Sequence, residues 1–313
     1  SKTVNIGFTY FDEPVEKKDE GVIISDGTTI LGADNKDSLA SILEALEVIL
    51  EKNIPHRAVE VVFTKEEEAI SRGIQNFDFS LVSSKKCIVA DSPEAYGTII
   101  TKAPYLYQFN ITIEGTRAHA KEPEKGVNTA LIISNAVSSM PLGTADASEL
   151  TNTLVNVSYF QVGLLKDGDF ENPATAGRNT VPDFGIVQGE VRGLNDEIAK
   201  NTISKIQEVF EQVANELGGK VSLNSRHLID GYILDENTEF IKTICEILKN
   251  QGVDPVLMFS AGGSDANTLN KKRIEAIVIG SAYKNPHKKE EYIVIRDLIL
   301  LADFYVKLLT NNL

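Results

Sequence analysis

Gly27-Thr-Thr-Ile-Leu-Gly-Ala-Asp34-Asn-Lys36 decides the reading of this chain. It joins a β-type run, Gly21-Val-Ile-Ile-Ser25, to a segment of helical period, and leaves one carboxylate, Asp34, at the junction. In open α/β folds, active sites are built in the crevice at the carboxyl ends of the strands. Three later segments repeat the pattern. Glu67 and Glu68 follow Ala58-Val-Glu-Val-Val-Phe-Thr64, Asp91 follows Cys87-Ile-Val-Ala90, and His287 lies in a loop after an apolar strand. This repetition turns a loose carboxylate into a candidate metal centre.

Working outward, residues 37–53 read as a helix, with Leu39, Ile42, Leu43, Leu46, Ile49 and Leu50 as one apolar stripe. Asp37 suits the positive end of the helix dipole, and Pro55 lies just past the far end. Residues 4–10, 58–64 and 87–90 read as strands. The middle changes character. Strands at 105–114, 153–162, 184–192 and 221–227 combine with helices at 127–140 and 197–217 in the order β-α-β-β-α-β. That order is the ferredoxin-like unit. After it, α/β alternation returns, with a helix at 237–251, a strand at 275–281 and a helix at 296–309. The expected fold is α/β: a mixed, mostly parallel sheet flanked by helices, with an inserted α+β domain at 104–228. The outer domain is then discontinuous, 1–103 and 229–313.

The net charge of −14 argues against nucleic acid as a partner. No apolar run is long enough to span a bilayer, and the N-terminus lacks a basic-then-apolar signal pattern. Two cysteines, Cys87 and Cys245, make no disulfide framework and read as small core residues. A reducing cytoplasm is the expected compartment. Ser1 is not an initiator methionine, which suggests a processed, trimmed or tagged start.

Each site residue has an ordinary reading beside the chemical one. Asp34 suits a helix cap as well as a ligand. Glu66-Glu67-Glu68 suits a solvated turn or an acidic first helical turn. Yet adjacent carboxylates allow one to bind a cation while its neighbour takes a proton from water. Asp91 suits a turn, and His287 an exposed loop, although imidazole is among the commonest zinc ligands. Ser260-Ala-Gly-Gly-Ser-Asp265 reads as a glycine turn capping a helix, or as a backbone cradle for a substrate carboxylate. His56 and His227 have no supporting context.

Taken together these segments resemble the zinc-dependent aminoacylase/carboxypeptidase/tripeptidase family, most closely its peptidase T-like branch. The resemblance covers nearly the whole chain. It rests on Asp26-Gly-Thr-Thr-Ile-Leu-Gly-Ala-Asp-Asn-Lys36, Phe63-Thr-Lys-Glu-Glu-Glu68, Ala118-His-Ala120 with Pro123-Glu-Lys-Gly126, Gly177-Arg-Asn-Thr-Val-Pro182, Gly262-Gly-Ser-Asp-Ala-Asn267 and Asn285-Pro-His287, in family order. It implies that Asp34 bridges two zinc ions, Glu67 is the general base, and Glu68 and His287 complete one zinc site. Asp91 would serve the other. His119, Asn179 and Arg192 resemble substrate contacts, with His119 steadying the oxyanion from the partner subunit of a homodimer joined by the inserted domain. Gly262, Gly263 and Ser264 resemble a pocket-lining loop.

Two departures stand out. The family's His-x-Asp is matched by Tyr10-Phe-Asp12, with tyrosine at the place of a zinc-ligand histidine. Tyrosine is not a usual zinc ligand, so one firm zinc site is expected, with the second weak or absent. Relatives also carry several dozen residues before that motif. The resemblance therefore implies a metal-dependent hydrolase of short peptides or N-acyl amino acids. The alternative is a non-catalytic relative that binds a peptide-like ligand.

Overall fold

The computed structural model describes residues 7–10, 21–140, 148–163 and 179–310. From the N-terminus the elements run β1 (Gly7–Tyr10), β2 (Gly21–Ile24), α1 (Lys36–Glu51), α2 (Arg72–Gln75), β3 (Lys86–Val89) and β4 (Thr98–Ala103). Then come β5 (Tyr105–Glu114), β6 (Ala118–His119), α3 (Thr129–Ser139), β7 (Leu154–Val162), β8 (Thr180–Val181), β9 (Phe184–Gly193), α4 (Asp196–Leu217), β10 (Lys220–Ile229) and β11 (Tyr232–Ile233). The last third holds α5 (Glu239–Asn250), β12 (Val256–Phe259), α6 (Asp265–Lys271), β13 (Glu275–Ile279), β14 (Tyr283–Lys284), β15 (Tyr292–Val294) and α7 (Ile295–Thr310).

The chain divides into two compact units. The first comprises residues 1–102, 233–259 and 264–313, and the second 103–232 with 260–263. In the first unit a mixed sheet runs β11-β4-β13-β3, with β12 also on β4. Here β12 is parallel to β4 and β13 to β3, whereas β13 meets β4 antiparallel. Ile99, Ile277 and Ile279 of this sheet share a dry core with Ile244 and Leu248 of α5 and Leu301 and Phe304 of α7. A smaller antiparallel sheet runs β1-β2-β15-β14.

Two expectations about this unit need correction. The apolar stripe of α1 is only partly its buried face: Ile49 is buried and Ile42 packs against the core, but Leu39, Leu43 and Leu50 are exposed, and Asp37, Ser38, Ser41 and Ala45 are buried instead. The helix packs on α7, and small residues permit that close approach. The Ser41 hydroxyl even donates to the Leu298 carbonyl at 3.3 Å. Residues 58–64 form no strand. Their composition suits a pleated surface, but a strand exists only where a partner pairs its backbone, and none of the described elements does so. Val59, Val61, Val62 and Phe63 stay exposed.

The second unit is an antiparallel sheet in the order β10-β5-β9-β7. The chain order β5-α3-β7-β9-α4-β10 gives the ferredoxin-like arrangement. Phe109, Ile111 and Ile113 of β5 and Val187 and Val191 of β9 alternate inward. They meet Ile132 and Ile133 of α3 and Ile206 and Phe210 of α4. Asn195 caps α4 by accepting from the Ile198 N–H at 3.1 Å. Gly218 closes it with φ +82°, a left-handed backbone that glycine adopts freely.

Candidate metal centre

The loop between β2 and α1 is built by its own polar residues. The Asp26 carboxylate accepts from the Thr28 N–H at 2.9 Å and its hydroxyl at 2.6 Å. The Ser25 hydroxyl donates to the Thr29 carbonyl at 2.8 Å. Gly32 takes φ +69°. Asn35 donates to the Ala90 carbonyl at 2.8 Å and so ties the Asp34 loop to the end of β3, just before Asp91. The Asp34–Asn35 peptide is cis.

Glu67 and Glu68 lie in a tight turn ahead of α2. Glu66, Ile70 and Ser71 all take positive φ, which non-glycine residues adopt at a cost. His287 also has positive φ, 63°, in the loop between β14 and β15. Across these three loops the side chains converge. His287 Nε2 lies 3.1 Å from Asp34 Oδ2 and 2.7 Å from Glu68 Oε1. One ligand-type atom from each of Asp34, Glu68 and His287 lies within 4.8 Å of the others. Asp34 is half-buried, whereas Glu68 and His287 are exposed.

The electrostatics fit a cation. The hydrogen bond and charge of Glu68 raise the His287 imidazole above its ordinary value. Burial, then the Glu68 charge, raises Asp34, against the opposing pull of His287. Burial, followed by the charges of Glu67 and Asp34, pushes Asp91 up to about 7. Burial pushes Glu67 up to about 7 as well, with Asp265, Glu68 and Asp34 adding to it, although the Ser71 hydroxyl donates to Glu67 at 3.1 Å. These carboxylates repel one another, and a divalent cation would relieve that. Two carboxylate oxygens and an imidazole nitrogen are a donor set that zinc accepts, so the residues present fit a metal.

The other expected site residues divide. Asp91 is not in the converging trio; it accepts from the Tyr283 hydroxyl at 3.3 Å. His119 is exposed in β6, and its Nδ1 accepts from the Lys121 N–H at 3.2 Å. Asn179 adjoins it, its carbonyl accepting from the Ala120 N–H at 2.8 Å. Arg192 pairs with Glu190 at 2.9 Å and donates to the Ala261 carbonyl at 2.8 Å, so it anchors the loop carrying Gly262 and Gly263. Ser264 caps α6 in a capping box with Asn267. Tyr10 pairs with Gly21 at the end of β1, and Asp12 lies outside the described residues.

Three buried carboxylates at this centre escaped the sequence reading. Asp265 accepts from the Thr64 hydroxyl at 2.6 Å. It lies inside the quoted glycine motif, which offered a signal for it. Asp37 and Glu291 gave none: one was read as a dipole partner, the other lies in a charged run.

An α/β scaffold whose loops gather carboxylates and an imidazole is a candidate metal centre. Residues 10–311 match the model of Peptidase family M20/M25/M40, and the chain belongs to this family, one of metal-dependent peptidases. It is 30% identical over 292 residues to the uncharacterized protein YqjE of Bacillus subtilis, covering 93% of this chain and 74% of that one. It is 27% identical over 304 residues to peptidase T of Bacillus licheniformis, covering 95% and 69%. Among solved structures, a tripeptidase from Staphylococcus aureus superposes with a TM-score of 0.86 at 31% identity, covering 98% of this chain and 76% of that one. The protein is a hydrolase of the peptidase class. Among the described residues no helix is long and apolar enough to cross a membrane.

Proposed function

We propose that this chain hydrolyses short peptides, with Asp34, Glu68 and His287 holding a zinc ion and Glu67 acting as general base. The convergence of Asp34 and Glu68 with His287, which lies more than two hundred residues further along the chain, carries the reading. A divalent cation held there would lower the pKa of water toward 7 and polarise an amide carbonyl.

Glu67 supplies the proton traffic. Its carboxyl, pushed up to about 7, suits both directions of transfer near neutrality. It takes a proton from water as the oxygen adds to the carbonyl carbon. It returns that proton to the amine as the C–N bond breaks. On this reading His119 donates to the developing oxyanion. Asn179, Arg192 and the Gly262-Gly263-Ser264 loop contact the substrate. The second unit serves as lid and homodimer contact, and the protein works in the cytoplasm. Asp91 would serve a second, weaker cation.

Tyr10 at the place of the family's ligand histidine favours a second reading, a relative that binds peptides without cleaving them. One comparison separates the two. The unaltered chain, loaded with zinc, is expected to hold about one tight ion and to cleave a tripeptide. Glu67→Gln is expected to keep the ion and lose about a hundredfold or more in turnover. Zinc bound without cleavage by the unaltered chain supports the second reading. No bound cation at all removes both roles for the trio.

A further inference from the structure

Two loops that meet at the centre exchange buried carboxylates. Asp37 stands in the first turn of α1 and Glu291 just before β15, and each is 1% exposed. Asp37 Oδ2 accepts from the backbone N–H groups of Ala282 at 2.8 Å and Tyr283 at 3.0 Å. Its other oxygen accepts from the Ser38 N–H at 2.6 Å. In return, Glu291 Oε2 accepts from the Gly32 N–H at 2.5 Å and Oε1 from the Asp34 N–H at 3.0 Å. The Ser38 and Ser281 hydroxyls close the seam at 3.0 Å. Beneath it Ala33, Ala282, Tyr283 and Ile293 form a dry apolar cluster.

Such an arrangement has to be explained by what it holds. A buried carboxylate is tolerated only when hydrogen-bonded, and here both oxygens of each are used. One of the loops carries Asp34, the other His287. The backbone amide of Asp34 itself is gripped by Glu291, four residues beyond His287. Rotation or drift of either loop would break contacts at both ends of the exchange.

We propose that Asp37 and Glu291 form a reciprocal clasp that sets the Asp34 and His287 loops in register before a cation arrives. Both are positioning residues, neither a ligand. The inference rests on the metal-dependent reading above. Partners that orient ligands change metal affinity by about 10- to 100-fold when removed. Preorganisation predicts a loss of that size with all three proposed ligands intact.

The test titrates metal-free protein with Co2+ and follows both the visible spectrum and the heat of binding. Glu291→Gln and Asp37→Asn keep the shape of each side chain and are expected to bind about 10- to 100-fold more weakly. Asn195→Ala, which removes the cap of α4, is expected to lower the unfolding temperature without moving the Co2+ affinity. Hydrogen exchange on the unaltered metal-free chain gives a readout that needs no variant to fold. The amides of Gly32, Asp34, Ala282 and Tyr283 are expected to be protected before metal is added. Amides that exchange like an open loop until Co2+ binds would overturn the clasp. So would variants that bind within twofold of an unaltered chain that binds well. An unaltered chain that takes up no Co2+ would overturn the metal-dependent reading and the clasp together.

Discussion

Raising the pH of the metal-free protein should unfold it more easily. Asp91 moves from an ordinary 3.8 to about 7 on folding, chiefly because burial disfavours its charge. Glu67 moves from 4.5 to about 7 for the same reason. A carboxyl whose folded value is raised stabilises the fold below its unfolded value, and that contribution is lost as pH rises through the folded value. The window is therefore from about pH 4 to about pH 7. At about 1.4 kcal/mol per pH unit, Asp91 alone has a ceiling on the order of 4 kcal/mol. Glu67 is more solvated and the two share their repulsion, so the pair is expected to contribute on the order of 3 kcal/mol. At about 2.1 cal/mol/K per residue, that corresponds in this chain to a fall of roughly 5 °C in unfolding temperature. His287, also raised, works in the same direction. Thermal unfolding in chelator at intervals from pH 5 to pH 8 measures the slope. Asp91→Asn should flatten it, because an amide cannot ionise. Saturating divalent cation should flatten it too. An Asp91→Asn slope equal to that of the unaltered chain would refute the argument, since repulsion from the overall negative charge would then account for the trend.

Two further substitutions test local packing. At Gly73 an added Cβ would lie 2.1 Å from the Lys65 carbonyl oxygen, so Gly73→Ala is expected to cost about 1–3 kcal/mol by overpacking. It should also weaken cation binding, because the displaced turn carries Glu68. Asn195→Ala removes the side chain that accepts the Ile198 N–H and should cost about 1 kcal/mol in chemical denaturation.

Periodic patterns made much of the fold legible. Residues 105–114 alternate apolar and polar, and β5 occupies that span with alternate residues buried. The long helical period after residue 196 became α4, ended by its glycine. Patterns failed where the deciding partner is distant. The valines of residues 58–64 have strand chemistry, but pairing is a property of two segments, and none of the described elements pairs with them. The stripe of α1 is half right: Ile42 and Ile49 face the core, but Leu39, Leu43 and Leu50 do not, and the small residues Ser38, Ser41 and Ala45 are buried in their place. At the centre, Asp34, Glu68 and His287 were singled out because each follows an apolar run or an apolar-to-polar junction. Asp37 and Glu291 left no such mark. Their bonds go to backbone amides about 250 residues away, and a backbone amide carries no side-chain identity for a sequence to display.

The run from Val59 to Phe63 has one more consequence. Its exposed valines and phenylalanine have the composition of segments on which foreign strands stack into aggregates. Glu60 is the charge that interrupts it. The Ser84 hydroxyl, then the amides of Ser83 and Ser84 at 2.9 and 2.8 Å, donate to its carboxylate and pull its pKa down to about 2. The gatekeeper therefore stays ionised through the mildly acidic range in which ordinary glutamates fall silent.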